Sequence, residues 1–201
     1  RYDWTVADYA IWYAGGVGVP VYETSSAEQV EWIISDSNAV AVFLESAKNK
    51  AVFEEVADRV PDCTGQGIFD DGALATLTAA GVGVSDEDLE RARATVNPQS
   101  VATIIYTSGT TGRPKGAMLT HGNLSANVDQ LTRWMPDANP GHEVTLCVLP
   151  FFHVFAMTVA LNTSINLGAE LVLQPRFELD ALLKALDKKN VTIFPGVPTI
   201  Y

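Results

Sequence analysis

The sequence predicts an α/β fold in which mostly parallel sheets are flanked by helices. Apolar runs of strand length alternate with amphipathic runs of helical period along most of the chain. Glycine, proline or a capping hydroxyl stands at most of the junctions between them. Composition agrees: 47% of the 201 residues are hydrophobic and 18% charged, ordinary for a globular protein with a sizeable core.

Taken in order, Thr5 with Asp8 at its N3 position predicts the cap of a first helix, and Gly15-Gly16 predicts its stop. Residues 17–22 read as a short strand edged by Pro20. Ser25 and Glu28 predict a capping box ahead of Val30, Ile33 and Ile34, which recur at helical spacing. Residues 39–44 form an apolar run short enough for a buried strand, and residues 47–59 a helix ended by Pro61. Residues 62–97 are less regular, with Gly65, Gly67, Gly72, Gly81 and Gly83, and predict a variable surface excursion. Within it Ser85 opens a helix whose first turn, Asp86, Glu87 and Asp88, suits the helix dipole and a solvated face.

Residues 101–106 then predict a hydrophobic strand. Thr120 predicts the start of a helix with Leu124, Val128, Leu131 and Met135 on one face and Pro136 as its stop. Further on come a strand at 144–149, a mostly apolar helix at 155–167 and a strand at 170–173. Leu179, Leu182, Leu183 and Leu186 mark another helix, and residues 191–194 a last strand. The organisation expected is a first α/β subdomain over 1–98 and a second over 99–201.

A net charge of −11, from 13 basic and 24 acidic residues, excludes a nucleic-acid surface, which needs a basic footprint. An anionic ligand would have to be held by local backbone amides and a few chosen cations. Cys63 and Cys147 match no metal spacing and read as reduced, inert thiols. No run reaches the ~18 apolar residues of a membrane span. The start at Arg1 without methionine and the stop at Tyr201 predict a piece of a longer protein.

The chemistry concentrates in the run Tyr106-Thr107-Ser108-Gly109-Thr110-Thr111-Gly112-Arg113-Pro114-Lys115-Gly116. Glycines let several backbone amides converge on an anion, hydroxyls add donors, and Lys115 adds a compact positive charge suited to a polyphosphate. A Walker loop is excluded because Lys115 lies between Pro114 and Gly116 instead of preceding Ser or Thr. A dinucleotide fingerprint fails as well: Gly81-Val82-Gly83 is followed by Val84-Ser85-Asp86, with no third glycine in place. A plain surface loop rich in small residues seldom combines these groups directly after a buried strand.

Thr107 to Gly116 resembles, without a break, the signature loop of the adenylate-forming superfamily, which includes acyl-CoA synthetases, peptide-synthetase adenylation domains and beetle luciferases. Val19-Pro20-Val21-Tyr22-Glu23-Thr24-Ser25-Ser26-Ala27-Glu28-Gln29 looks like the segment ahead of that loop in long-chain fatty acyl-CoA synthetases. Leu149-Pro150-Phe151-Phe152-His153-Val154-Phe155 is similar to the family's next motif, and Pro195-Gly196-Val197-Pro198-Thr199-Ile200-Tyr201 to the one after it. The resemblance covers essentially the whole chain, 62–97 being its weakest stretch. It implies a portion of the large N-terminal domain of such an enzyme.

What the resemblance implies for activity is a two-step reaction: a carboxylic acid is activated by ATP to an acyl-adenylate, then transferred to coenzyme A, with Mg2+ as cofactor. Thr107, Ser108, Gly109, Thr110, Thr111, Gly112 and Lys115 would bind the ATP phosphates, with Thr107 also touching the metal. His153 would lie near the acyl carboxylate and phosphates as a catalytic residue. Met157 stands where many long-chain enzymes carry an aromatic gate, and Tyr201 ends a motif bordering the acyl pocket. A fatty acid substrate, an amino-acid-activating domain and a non-catalytic nucleotide- or partner-binding fragment all stay open. The family's adenine, ribose, hinge and C-terminal lysine motifs do not occur in these residues, so the chain alone is expected to be inactive. Small-molecule partners, a cytoplasmic location and room for peripheral membrane contact or a homodimer complete the expectation. Of the other candidates, His121 reads as an exposed capping-turn residue, His142 is assigned nothing, and Trp4, Trp12, Trp32 and Trp134 read as packing.

Overall fold

A computed structural model describes residues 1–107 and 113–201. The chain divides into two compact units, Tyr2–His121 and Gly122–Tyr201, the second counted with Arg1. The expected division at 98/99 differs from this one, because the strand that follows residue 98 is tied to the first unit by the bonds described next.

The first unit contains α1 (Tyr2–Tyr13), α2 (Ala27–Ser37), β1 (Ala41–Leu44), α3 (Ala47–Glu54), β2 (Gly65–Ile68), α4 (Ala73–Ala80), α5 (Asp86–Arg93), β3 (Val101–Thr107) and β4 (Lys115–Thr120). β1 and β2 pair in parallel, from Ala41 opposite Gly65 to Leu44 opposite Ile68. β3 and β4 form an antiparallel hairpin running from Val101 opposite Thr120 to Thr107 opposite Lys115. Ile34, Leu44, Phe53, Val56, Val60 and Cys63 form one buried cluster; Ala7, Phe69 and Ala73 form another, where Phe43 stacks on Phe69.

Several expectations shift here. α1 starts at Tyr2, so Thr5 lies inside the helix and Asp8 is buried in its middle instead of capping it. The capping box is real but one residue later: Ser26 Oγ accepts from the Gln29 amide, and Gln29 Oε1 accepts from the Ser26 amide. Residues 17–22 make only a single bridge, Gly18 to Thr103, with Pro20 unable to extend the ladder. That bridge still ties β3 down, because the Ile104 amide donates to Gly18 O and Thr103 Oγ1 donates to the same oxygen at 2.8 Å. Residues 62–97 are not wholly a surface excursion, since they supply β2. Its glycines permit close approach: a Cβ on Gly65 would clash with the Ala41 Cβ at 2.8 Å, and one on Gly67 would crowd the Phe43 ring at 3.1 Å. The acidic helix behaves as expected, with Ser85 Oγ capping the Asp88 amide and no buried residue.

The second unit contains most of α6 (His121–Trp134), followed by β5 (Val144–Cys147), α7 (Val154–Ala156), α8 (Thr163–Leu167), β6 (Glu170–Leu173) and α9 (Leu179–Lys188). α6 buries Leu124 and Val128, as its periodicity requires. β5 and β6 pair in parallel, and Thr145 bridges Ile193, so the expected strand at 191–194 is reduced to one bridge position, held by backbone bonds from Leu146 to Ile193 O and from Thr192 to Val144 O. The expected helix 155–167 is continuous but widens between α7 and α8 into a π-helical stretch, Met157–Asn162. There both the backbone amide and the hydroxyl of Thr163 reach Thr158 O, the second at 2.8 Å. Ser164 Oγ donates to Thr145 Oγ1, joining this helix to β5. Leu146, Val148 and Leu182 form one buried cluster, packed by Val172, Ala185, Val191 and Phe194. Cys63 and Cys147 are free and buried, and burial raises both thiols. Among the described residues, no helix is long and apolar enough to cross a membrane.

Candidate functional site

The loop expected to bind phosphate closes the β3–β4 hairpin. β4 is a strand the sequence did not announce, because Lys115-Gly116-Ala117-Met118-Leu119-Thr120 is short and weakly patterned; its pairing with β3 decides it. The consequence is geometric. Thr107 and Lys115 face each other across the ladder and are both exposed, so a hydroxyl and an ammonium flank the mouth of the loop. Ser108, Gly109, Thr110, Thr111 and Gly112 lie outside the described residues. Lys115 makes no ion pair among the described residues, which leaves its charge available to an anion.

The hairpin stem is packed through an aromatic-glycine contact. A Cβ on Gly116 would lie 2.7 Å from Ile104 Cγ2 and 3.1 Å from the Tyr106 ring, so glycine is required beside Lys115. The Tyr106 ring is buried and its hydroxyl donates to Asp36 Oδ2 on α2 at 2.6 Å. Burial, followed by the bond to Asp36 and its charge, pushes the Tyr106 hydroxyl well above the ordinary phenol range. On the other side of the loop, Trp32 Nε1 donates to Pro114 O at 2.9 Å, and the Arg113 guanidinium lies 4.6 Å from the centre of the Trp32 ring. Trp32 is therefore more than packing. Its partner is 82 residues away in sequence, and no local pattern could have announced it.

His121 begins α6, as expected, but is half-buried, not exposed: its ring packs edge-on against Trp12 at 5.7 Å, and burial lowers its pKa. Trp12 Nε1 also bonds Ala102 O on β3 at 2.8 Å.

In the second unit, His153 follows β5 and caps α7. Its Nδ1 accepts the Phe155 amide at 3.2 Å, so in the neutral ring Nε2 carries the proton and is a donor. His153 lines an apolar cavity of about 340 Å³ together with Leu149, Pro150, Phe155, Ala156, Val197 and Pro198. This lies beyond the carboxyl end of β5, where open α/β sheets bind ligands. Met157 is fully buried and does not line the cavity, although its neighbour Ala156 does. Tyr201 is also off the wall. Its hydroxyl donates to Phe194 O at 2.8 Å, and its ring lies so close to Gly196 that a Cβ there would be 2.9 Å away.

Among the described residues no group of three His, Cys, Asp or Glu could hold a metal ion. Thr107 offers a single exposed oxygen at the end of β3. That fits Mg2+, which keeps several waters and takes other ligands from substrate phosphates.

Comparison with known proteins bears on the whole chain. The family described as AMP-binding enzyme matches residues 1–201. A long-chain-fatty-acid–CoA ligase of Mycobacterium bovis is 40% identical across all of this chain and 34% of its own length. A mitochondrial malonate–CoA ligase of Homo sapiens is 35% identical over 99% of this chain and 33% of its own. The crystal structure of ATP-bound MatB from Rhodopseudomonas palustris superposes on the whole chain with a TM-score of 0.82 at 28% identity, over 38% of that protein. The chain thus spans about a third of the length of the curated relatives it matches.

Proposed function

The chain belongs to the AMP-binding enzyme family, and from that premise we propose that the intact protein is an ATP-dependent acid–CoA ligase acting on a long- or medium-chain fatty acid. The observation that carries the reading is the hairpin that sets Thr107 opposite Lys115 at the two roots of the glycine-rich loop. In the first step a carboxylate oxygen attacks the α-phosphorus of ATP, the bond from that phosphorus to the bridging oxygen breaks, and pyrophosphate leaves. Such a transfer needs charge neutralisation more than covalent help. The Lys115 ammonium meets the charge that grows on the departing β- and γ-phosphates, and the hydroxyls and amides of 107–112 share it. The Thr107 hydroxyl would help hold Mg2+, which would supply further positive charge against the phosphates.

In the second step the coenzyme A sulfur attacks the acyl carbon, the bond to the AMP oxygen breaks, and AMP leaves. The Nε2 proton of His153 is oriented as a donor to an acyl or phosphate oxygen by the Nδ1 bond to Phe155. The apolar cavity beside it suits an aliphatic chain next to a carboxylate. A fatty substrate is supported by the 40% identity to the mycobacterial ligase, whereas the malonate relative shows that family membership leaves the acid open. A cytoplasmic location with loose membrane contact would suit such a substrate.

Substrate profiling of the intact protein tests this. Carboxylate-dependent ATP–pyrophosphate exchange is expected with fatty acids and at least tenfold weaker with malonate or amino acids. Exchange driven best by an amino acid would replace the acid–CoA ligase reading with that of an adenylation domain.

A further inference from the structure

We propose that Trp32 and Asp36 on α2 are positioning residues that hold Thr107 and Lys115, the two roots of the phosphate loop, in place through the residues next to them. The proposal rests on the reading above that Thr107 and Lys115 meet polyphosphate. Trp32 and Asp36 are one helical turn apart and so share a face of α2. Asp36 Oδ2 accepts from the Tyr106 hydroxyl at 2.6 Å, immediately before Thr107. Trp32 Nε1 donates to Pro114 O at 2.9 Å, immediately before Lys115, and the Trp32 ring carries Arg113 on its face. One helix therefore holds Tyr106, on the stem side of Thr107, and Pro114, on the loop side of Lys115, next to the two groups that face each other across the ladder.

The helix is itself rigidly placed. Ser26 and Gln29 cap its start reciprocally, Asn38 at φ 52° closes its end with bonds to Ile34 O and Ser35 O, and Ile33 and Ile34 are buried. A loop whose ends are held before the ligand arrives does not spend binding energy on being ordered. Donors and cations preset around developing charge also stabilise it without reorganisation. The grip acts on the pyrophosphate end of the reaction alone, so it should leave the thioester step untouched.

The test uses the intact protein and the variants Trp32→Phe, Tyr106→Phe, their combination, Asp36→Ala and Asp36→Asn. Trp32→Phe keeps a ring for Arg113 but loses the indole donor; Tyr106→Phe keeps the ring packed on Gly116 but loses the hydroxyl. Each single loss is expected to raise the KM for ATP in exchange, and the Kd for inorganic pyrophosphate by calorimetry, about three- to tenfold. The double variant should exceed either single one. Asp36→Asn, which retains an acceptor, should recover most of what Asp36→Ala loses. Thioester formation from supplied acyl-adenylate should stay within about twofold of wild type in all of them. Lowered melting temperatures with unchanged KM and Kd, or equal losses in both half-reactions, would overturn the proposal and leave these contacts merely structural. Wild-type protein that binds pyrophosphate but catalyses no exchange would sink the ligase reading instead, while the pyrophosphate Kd series still decides the grip. No pyrophosphate binding by the wild type would end both.

Discussion

At the scale of single residues, the buried carboxyl of Asp8 is the most informative side chain outside the site. It is only 6% exposed, its Oδ2 has no hydrogen-bond partner among the described residues, and desolvation pushes its pKa up to about 7. The folded-state value lies above the ordinary carboxyl value of 3.8, so the folded protein binds the extra proton between these two pH values. The neutral carboxyl's contribution is therefore fully present below about pH 4 and lost as pH rises through about 7. Asp8→Asn removes the charge while keeping the shape. Urea unfolding of the intact protein should show the variant gaining on wild type from pH 4 to 7 and levelling off above, by ~4 kcal/mol at most. A difference that does not change with pH would show that Asp8 is ionised and paired in the fold. Sequence reading placed this aspartate in a helix cap, because a Thr-x-x-Asp spacing in front of apolar residues is a fair cap signal. The helix overrode it by beginning three residues earlier, at Tyr2.

At the scale of elements, what could be read in advance follows from how local each signal is. α6, β6 and α9 were legible because their apolar pattern lies within the elements themselves. β2 and β4 were not, because Gly65-Gln66-Gly67-Ile68 and Lys115 to Thr120 have little strand propensity and exist through their partners. The glycines that hid β2 are what let β1 approach it. Gly65→Ala places a Cβ 2.8 Å from that of Ala41, which forces the pair apart. The expected loss is about 1–3 kcal/mol of stability in denaturant unfolding, the ordinary cost of overpacking; a loss below about 0.5 kcal/mol would show that the strands separate freely. The candidate site divides in the same way. Its chemistry, the loop and His153, was written in contiguous motifs. The support from Trp32 and Asp36 was not, since it joins residues 70 and 82 positions apart.

At the scale of the whole molecule, the proposed binding of a polyanion by a chain with net charge −11 requires local means. The β3–β4 hairpin offers such means: Lys115 is exposed and makes no ion pair among the described residues, and it stands opposite Thr107. In the proposed reaction this pair handles the pyrophosphate released when the acid is activated. Carboxylate-dependent exchange of labelled pyrophosphate into ATP, run on the intact protein with Lys115→Ala alongside wild type, tests it most directly. Robust wild-type exchange is expected, with a loss on the order of 100-fold in kcat/KM for the variant, as for removal of one preset charge partner. Exchange by Lys115→Ala within about twofold of wild type, in a variant that folds normally, would contradict it.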